Sequence, residues 1–233
     1  LTGPLSIGES SGTVIVSIHQ PGYLPWLGYF DKISRADIFV VLDTVQFQKN
    51  SFQNRNKIRT KTGSTWLTVP VLTKGKLYDS KIADMEINNN VDWRRKHLAT
   101  LKMNYSKAPN FAEVIHLLSP FYEREWLRLS ALCDEMLVLF LDFFRIETRI
   151  IHSSELAGID SKKSDLALDI CRRLGATTYL SGKLGHDYID VHSFSESGVD
   201  VVFQDYHPPA YDQAYSGFEP NLSAVDFMMN ADW

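Results

Sequence analysis

A histidine that closes one apolar run and an aspartate that follows the next are the residues of this chain best suited to proton transfer. His19 ends VIVSIH, and Asp43 comes directly after VVL in DIFVVLD. An imidazole titrates near neutral pH, so His19 is expected to act as general base on an amine or hydroxyl. Asp43 would orient that imidazole or a substrate group. The stretch after Asp43 carries Gln46, Lys49, Asn50, Asn54, Arg55 and Lys57, and between positions 49 and 61 there are five basic residues and no acid. Such a stretch attracts phosphate or carboxylate, with Arg offering a two-pronged contact. Lys49 and Arg55 are therefore expected to hold phosphate, and the interleaved amides to read sugar hydroxyls. The blander readings are a histidine that fixes the Pro21 turn and a basic loop that is solvated or meets another subunit.

Two further segments could complete a site. QPGYLPW brings Gln20, Tyr23 and Trp26 directly after His19, and Trp26 could platform a sugar or base. SGKLGHDY places Ser181, Gly182, Lys183 and Tyr188 after a strand-like run, where backbone donors between two glycines could cradle an anion. A plain turn explains the same glycines. In WRRKHLATLKMNY, His97 and Tyr105 are weaker candidates on a helix that is otherwise a charged face. No HxH, HExxH or CxxC spacing occurs, so no metal site is expected. The Walker loop, the GxSxG elbow and the GxGxxG fingerprint are absent as well, and no cofactor is named by the sequence.

The elements that must carry these residues alternate. VIVSIH reads as a strand, QPGYLPW as a loop broken by two prolines, WLGYFDKISRA as a helix and DIFVVLD as a strand buried on both faces. Residues 46–61 read as a polar loop, STWLTVPVLT as a strand entered through a turn at Thr62 and Gly63, and residues 82–87 as short strand candidates. Three helices follow: one capped by Asp92, one capped by Asn110 and broken or kinked at Pro120, and one over EWLRLSALCDEMLVLFLDFF. ETRIIHSSEL, TTYLS and VDVVFQDY read as strands around a helix, SKKSDLALDICRRLGA, with Ser161 or Ser164 as N-cap and Gly175 just past its end. NLSAVDFMMN reads as a short closing helix. Alternation of this kind predicts an α/β fold with a mostly parallel sheet and flanking helices, Rossmann-like and three-layered, with a central helical insertion. Residues 1–13 are Gly/Ser-rich and read as a flexible lead. Residues 14–233 read as a single α/β domain, with a helical segment at about 92–145 packed on or beside the sheet. In such sheets ligands bind where strands end, which places His19, Asp43 and the 181–188 loop at one edge.

Composition narrows the function. A net charge of −4 gives no general attraction to nucleic acid, and no apolar run is long enough to cross a bilayer. Cys133 and Cys171 lack metal-like spacing and read as reduced core residues of a cytoplasmic protein. The segment HQPGYLPWLGYFDKISRADIFVVLDTVQFQKNSFQNRNKI resembles the WbqC-like family. The likeness continues through WLTVPV, WRRKHLATLKMNYSKAPNF, KSDLALDICRRLGATTYLSG and FEPNLSAVDFMMN. Members of that family are typically encoded among genes for O-antigen and other bacterial surface polysaccharides, including lipopolysaccharide. The resemblance supplies a setting rather than a mechanism. Within it the leading reading is an enzyme with a small-molecule substrate, a nucleotide-linked sugar, to which a transferase or ligase attaches an acyl or aminoacyl group. A non-catalytic nucleotide-sugar or glycan-precursor binding or scaffold protein is the other reading. Assembly into a homo-oligomer is left open.

Overall fold

Ile and Val dominate the shortest apolar runs, and their χ1-stiff, β-branched side chains favour strands covered on both faces. The computed structural model describes residues 12–73 and 80–232; the expected lead lies outside the described residues except for 12 and 13. In chain order the strands are β1 (Ile15–His19), β2 (Ile38–Val41), β3 (Arg55–Thr60), β4 (Gly63–Thr68), β5 (Arg149–His152), β6 (Thr178–Ser181) and β7 (Asp200–Phe203). The helices are α1 (Leu27–Ser34), α2 (Trp93–Tyr105), α3 (Phe111–Glu123), α4 (Leu129–Phe144), α5 (Lys163–Arg173), α6 (Val191–Glu196) and α7 (Ala224–Asn230).

Five strands form one sheet in the order β5-β2-β1-β6-β7, with every neighbouring pair parallel. Val16 lies opposite Ile38 and His19 opposite Val41, so α1 makes the crossover expected between the first two strands. One face of the sheet packs Phe39 and Val41 against Tyr29, Phe30 and Ile33 of α1 and Leu132, Met136 and Phe140 of α4. The other face packs Val16, Ile18, Val40 and Ile151 against Leu168, Ile170 and Cys171 of α5 and Phe194 of α6. This is the three-layer α/β arrangement that the alternation predicts. Buried residues of α2, α3 and α7 join the first of these cores, so the helical segment shares apolar contacts with the sheet.

Some local readings need correction. Residues 55–60 are not loop but strand β3, paired antiparallel with β4 from Arg55–Thr68 to Thr60–Gly63. The turn is made possible by Gly63, whose φ of +128° a side-chain-bearing residue would resist. The hairpin is held by neighbours rather than by its own apolar content. Arg59 N donates to Tyr105 Oη at 2.9 Å, and Ser223 N to the Lys57 carbonyl at 2.9 Å. Residues 82–84 are a single 3₁₀ turn, and isolated bridges tie Glu86 and Ile87 to Arg128 and Val71. Helix α3 continues through Pro120 to Glu123. Pro120 and His116 both face solvent, where water can satisfy the carbonyl that loses its helical donor. Asp92 and Asn110 do not cap with their side chains. Asp92 pairs with Arg95, and Asn110 Nδ2 donates to the Met228 and Ala231 carbonyls at 3.0 and 2.6 Å, anchoring α3 to α7. Lys162, not a serine, precedes α5, while Gly175 takes the expected left-handed φ of +67° after it.

The contact between α1 and α4 seats α1 on the sheet. Phe30 is 3% exposed, and its ring lies 5.1 Å from those of both Phe140 and Phe144. Phe30→Ala should therefore lower unfolding free energy by about 3–5 kcal/mol in urea titrations, the range for an aromatic deleted from a packed core.

Candidate functional site

In this sheet the strand order reverses at β1. Chain growth runs from β1 outward to β2 and β5, then returns to lay β6 on the other side of β1 and β7 beyond it. The loops leaving β1 and β6 therefore diverge, at the edge where open α/β sheets bind ligands. Carbonyls along β1 alternate sides. Those of Ile15 and His19 face β2 and accept from Asp37 N and Leu42 N at 2.9 and 2.8 Å, whereas that of Val14 accepts from Thr178 N of β6 at 3.1 Å. The Ile18 carbonyl thus turns toward β6. The β1–β6 pairing has already ended at Ser17 and Leu180, and Ile18 O accepts instead from Lys32 Nζ at 3.0 Å. An ammonium occupies the fork between the two strands.

Lys32 is 2% exposed, and no carboxylate pairs with it among the described residues. Burial pushes its amine down to about 7. Lys32 is a site residue that the sequence motifs do not name. A signal existed: Lys32 falls three residues after Tyr29 and four after Gly28, on the stripe that α1 buries.

His19 stands beside it. The half-buried imidazole is flanked edge-on by Trp26 and Tyr29, with ring centroids 5.6 and 5.0 Å away. Its Nδ1 lies 2.9 Å from the Gln20 carbonyl. A carbonyl only accepts, so Nδ1 carries the proton and Nε2 holds the free lone pair. No protein group among the described residues meets Nε2. Burial and the Lys32 ammonium push the imidazole down to about 3, so it stays neutral.

Asp43 does not join this pair. Its Oδ1 accepts from Ser153 Oγ at 2.8 Å and Ser154 N at 2.9 Å, and its Oδ2 from Ser154 Oγ at 2.7 Å. Ser153 Oγ in turn accepts from Asp43 N and Thr44 N at 3.1 and 3.2 Å. The carboxylate clamps the end of β2 to the end of β5. Beyond it, His152 lies between Asp134 at 3.0 Å and Glu155 at 3.3 Å, and Asp134 above all raises it to about 9.

The remaining predicted residues divide between core and surface. Tyr23 is fully buried, its hydroxyl 2.9 Å from His97 Nδ1 and 2.8 Å from Tyr122 Oη. Asn54 is buried and donates to the Val69 carbonyl at 2.8 Å. Gln20 Oε1 accepts from Gln53 Nε2 at 2.8 Å, coupling the His19 loop to the 46–57 segment. Gln46, Lys49 and Asn50 are exposed. Trp26, Phe52 and Trp66 form a band with successive centroids 5.4 and 5.7 Å apart. Phe52 and Trp66 are 46% and 38% exposed. Over Trp66 lie the Arg55 guanidinium at 4.1 Å and Lys57 Nζ at 5.1 Å, and Arg55 Nε is buried without a partner. This band, which begins at His19, was not visible from any one segment. On the other wall, Ser181 is buried and Gly182 sits over Lys32; a Cβ at 182 would lie 3.9 Å from Nζ. Lys183 and Tyr188 point outward from the 3₁₀ turn of residues 183–187. The structure therefore gathers His19, Gln20, Trp26, Ser181 and Gly182 around Lys32. It places Asp43, Tyr23 and Asn54 elsewhere. No group of three or more metal-ligating side chains occurs among the described residues. Cys133 and Cys171 are free and buried, and no described helix is long and apolar enough to cross a membrane.

Comparison with known proteins agrees with this chain's motifs. Residues 20–233 match the WbqC-like protein family, and the chain belongs to it. It is 37% identical over 217 residues to "Uncharacterized protein Rv1507c" of Mycobacterium tuberculosis (strain ATCC 25618 / H37Rv), covering 92% of this chain and 93% of that relative. No solved structure matches the chain.

The buried histidines set a pH profile. His19 and His97 are held near 3 and 4, below the usual 6.5, so the unfolded chain binds more protons than the folded one in that interval. Their contribution to stability is complete above 6.5 and is lost as pH falls toward 4. His152, raised to about 9, contributes fully below 6.5 and loses its contribution as pH rises through 9. Lys32, held near 7 against an ordinary 10.5, works the other way, because the unfolded chain binds its proton above 7 and stability grows with pH there. Urea titrations should show stability rising from pH 4 to 6.5 and staying nearly level from 7 to 9, and His152→Gln should turn that level stretch into a continued rise.

Proposed function

We propose that this WbqC-like chain is an enzyme that holds a nucleotide-linked sugar across the carboxyl ends of β1 and β6 and attaches an acyl or aminoacyl group to it. The setting would be the cytoplasmic synthesis of a bacterial surface polysaccharide such as an O-antigen. The observation that carries this reading is the bare Nε2 of His19, tautomer-fixed by Gln20 and placed where the strand order reverses. The aromatic band from Trp26 to Trp66 offers ring faces to a sugar or base, and the Arg55 and Lys57 cations sit at its far end.

In the proposed step a sugar hydroxyl or amine donates a hydrogen bond to His19 Nε2. The oxygen or nitrogen attacks the carbonyl carbon of an activated acyl donor as its proton passes to Nε2. The donor's leaving group departs with the bonding electrons and afterwards recovers the proton. A free imidazole held near 3 is a weak base at neutral pH. A bound anionic group would offset the Lys32 field and raise its basicity, coupling proton transfer to substrate binding. The second reading, a non-catalytic binder of the same ligand, is favoured by that low basicity and by the diversion of Asp43 to Ser153 and Ser154.

Thermal-shift screening of nucleotides, nucleotide-linked sugars and acyl donors tests both readings, since a ligand at 100 times its Kd adds roughly 2.7 kcal/mol. His19→Asn then separates them. Asparagine can keep the donation to the Gln20 carbonyl while removing Nε2. The enzyme reading expects turnover to fall by about 10²–10⁴ with ligand affinity nearly unchanged. Wild-type binding without turnover of any donor would favour the binder. Arg55→Ala should weaken a phosphorylated ligand by roughly 10- to 150-fold, an effect that shrinks at high salt.

A further inference from the structure

We infer that Lys32 receives a phosphoryl group of the ligand in the fork between β1 and β6. This rests on the proposed nucleotide-linked ligand and adds the residue that meets its charge. The inference starts from a buried cation whose needs the fold does not meet. An ammonium has three donors, and a single hydrogen bond, to the Ile18 carbonyl, is present. The carboxylate nearest to it on its own helix, Asp31, accepts from Gln204 Nε2 at 2.6 Å and pairs with Arg35 at 3.6 Å. The titratable neighbour on β1 is His19, which is neutral and brings no negative charge.

Packing alone does not call for a lysine. The same stripe of α1 carries Tyr29, Phe30 and Ile33, and a methionine at position 32 would fill the space without desolvating a charge. Other buried ionic groups hold more hydrogen bonds. Asp226 accepts from Tyr105, Tyr211 and Gln213 at 2.7, 2.8 and 2.8 Å, and Arg59 donates to four backbone carbonyls. Lys32 has one hydrogen bond and the Phe39 ring, 6.0 Å from its Nζ, and it lies where open α/β sheets bind ligands.

Access is consistent with this role. The residue over Nζ is Gly182, where a Cβ would stand 3.9 Å away, so the buried ammonium is covered on this side by backbone without a side chain. His19 Nε2 lies on the same edge, and the aromatic band leads outward from it. A phosphoryl group over Lys32 would place the linked sugar beside His19 and direct the nucleoside along Trp26 and Phe52. Burial keeps the free amine near 7, and a dianion at the fork would hold it fully protonated.

The test uses the full chain with inorganic pyrophosphate, uridine diphosphate and uridine as probes, read by calorimetry and melting temperature. Lys32→Met should raise the melting temperature of the unliganded protein and weaken pyrophosphate and uridine diphosphate by about 10-fold or more, leaving uridine unaffected. His19→Asn should leave pyrophosphate affinity within about 3-fold. An independent readout is the Lys32 side-chain amine resonance of the wild-type chain, which should shift on pyrophosphate titration whether or not the variant folds. Lys32→Met that binds both phosphates like wild type, or a Lys32 resonance unmoved at saturating pyrophosphate, overturns the inference. If uridine diphosphate binds but Lys32 is unmoved, the nucleotide site survives without Lys32. If no nucleotide or nucleotide-linked sugar binds at all, that reading fails together with this one.

Discussion

The reversal of strand order at β1 is the constraint on which the rest of the site depends. A parallel sheet points every strand's carboxyl end to one edge, but a continuous run of neighbours would close that edge with successive loops. Here β2 and β6 flank β1, and the helices that follow β1 and β6 cover opposite faces of the sheet. The loops separate, one β1 carbonyl is left facing a strand that has stopped pairing, and the Lys32 amine fills the gap. His19, at the last position of β1, is fixed at the rim of the same gap by its own following carbonyl.

Polar groups along the edge are matched unequally, and the inequality separates scaffold from site. At the β2–β5 end, Asp43, Ser153 and Ser154 satisfy one another, and His152 lies between two carboxylates. Under the hairpin, Asp226 accepts from three side chains. Buried groups with complete partners rigidify a fold. Lys32 has a single hydrogen bond for three donors, and the half-buried His19 leaves Nε2 without a protein partner among the described residues. That these two groups lie together at the topological switch point is the reason to place a ligand there.

Much of this was legible in the chain. The Ile/Val runs ending at His19 and Val41, the TYLS strand and Gly175 after α5 were read correctly because each is decided by local covalent preferences. Strand β3 was not, because RNKIRT holds one apolar residue and pairs only through its hairpin partner. Its Asn56 and Arg59 are buried by bonds to the Leu24 carbonyl and to carbonyls up to 158 positions away. Tyr23 read as an available loop aromatic, yet its ring is drawn inward by His97 and Tyr122, which no local pattern announces. Asp43 was placed at the right edge, but its partners lie 110 positions away. Helical spacing alone can put Lys32 on the buried stripe of α1, but only the strand order, a global property, turns that stripe toward the fork.

The central claim is that a ligand enters at the β1–β6 fork. Its most direct test is backbone amide shift mapping of the labelled full chain, titrated with the nucleotide-linked sugar that stabilises it most. The account predicts the largest shifts in residues 19–28, at Lys32 and in residues 181–186, extending along Phe52 and Trp66. Shifts confined to the opposite edge, around Asp37 and Thr148, or to the Asp43–Ser154 clamp would contradict it.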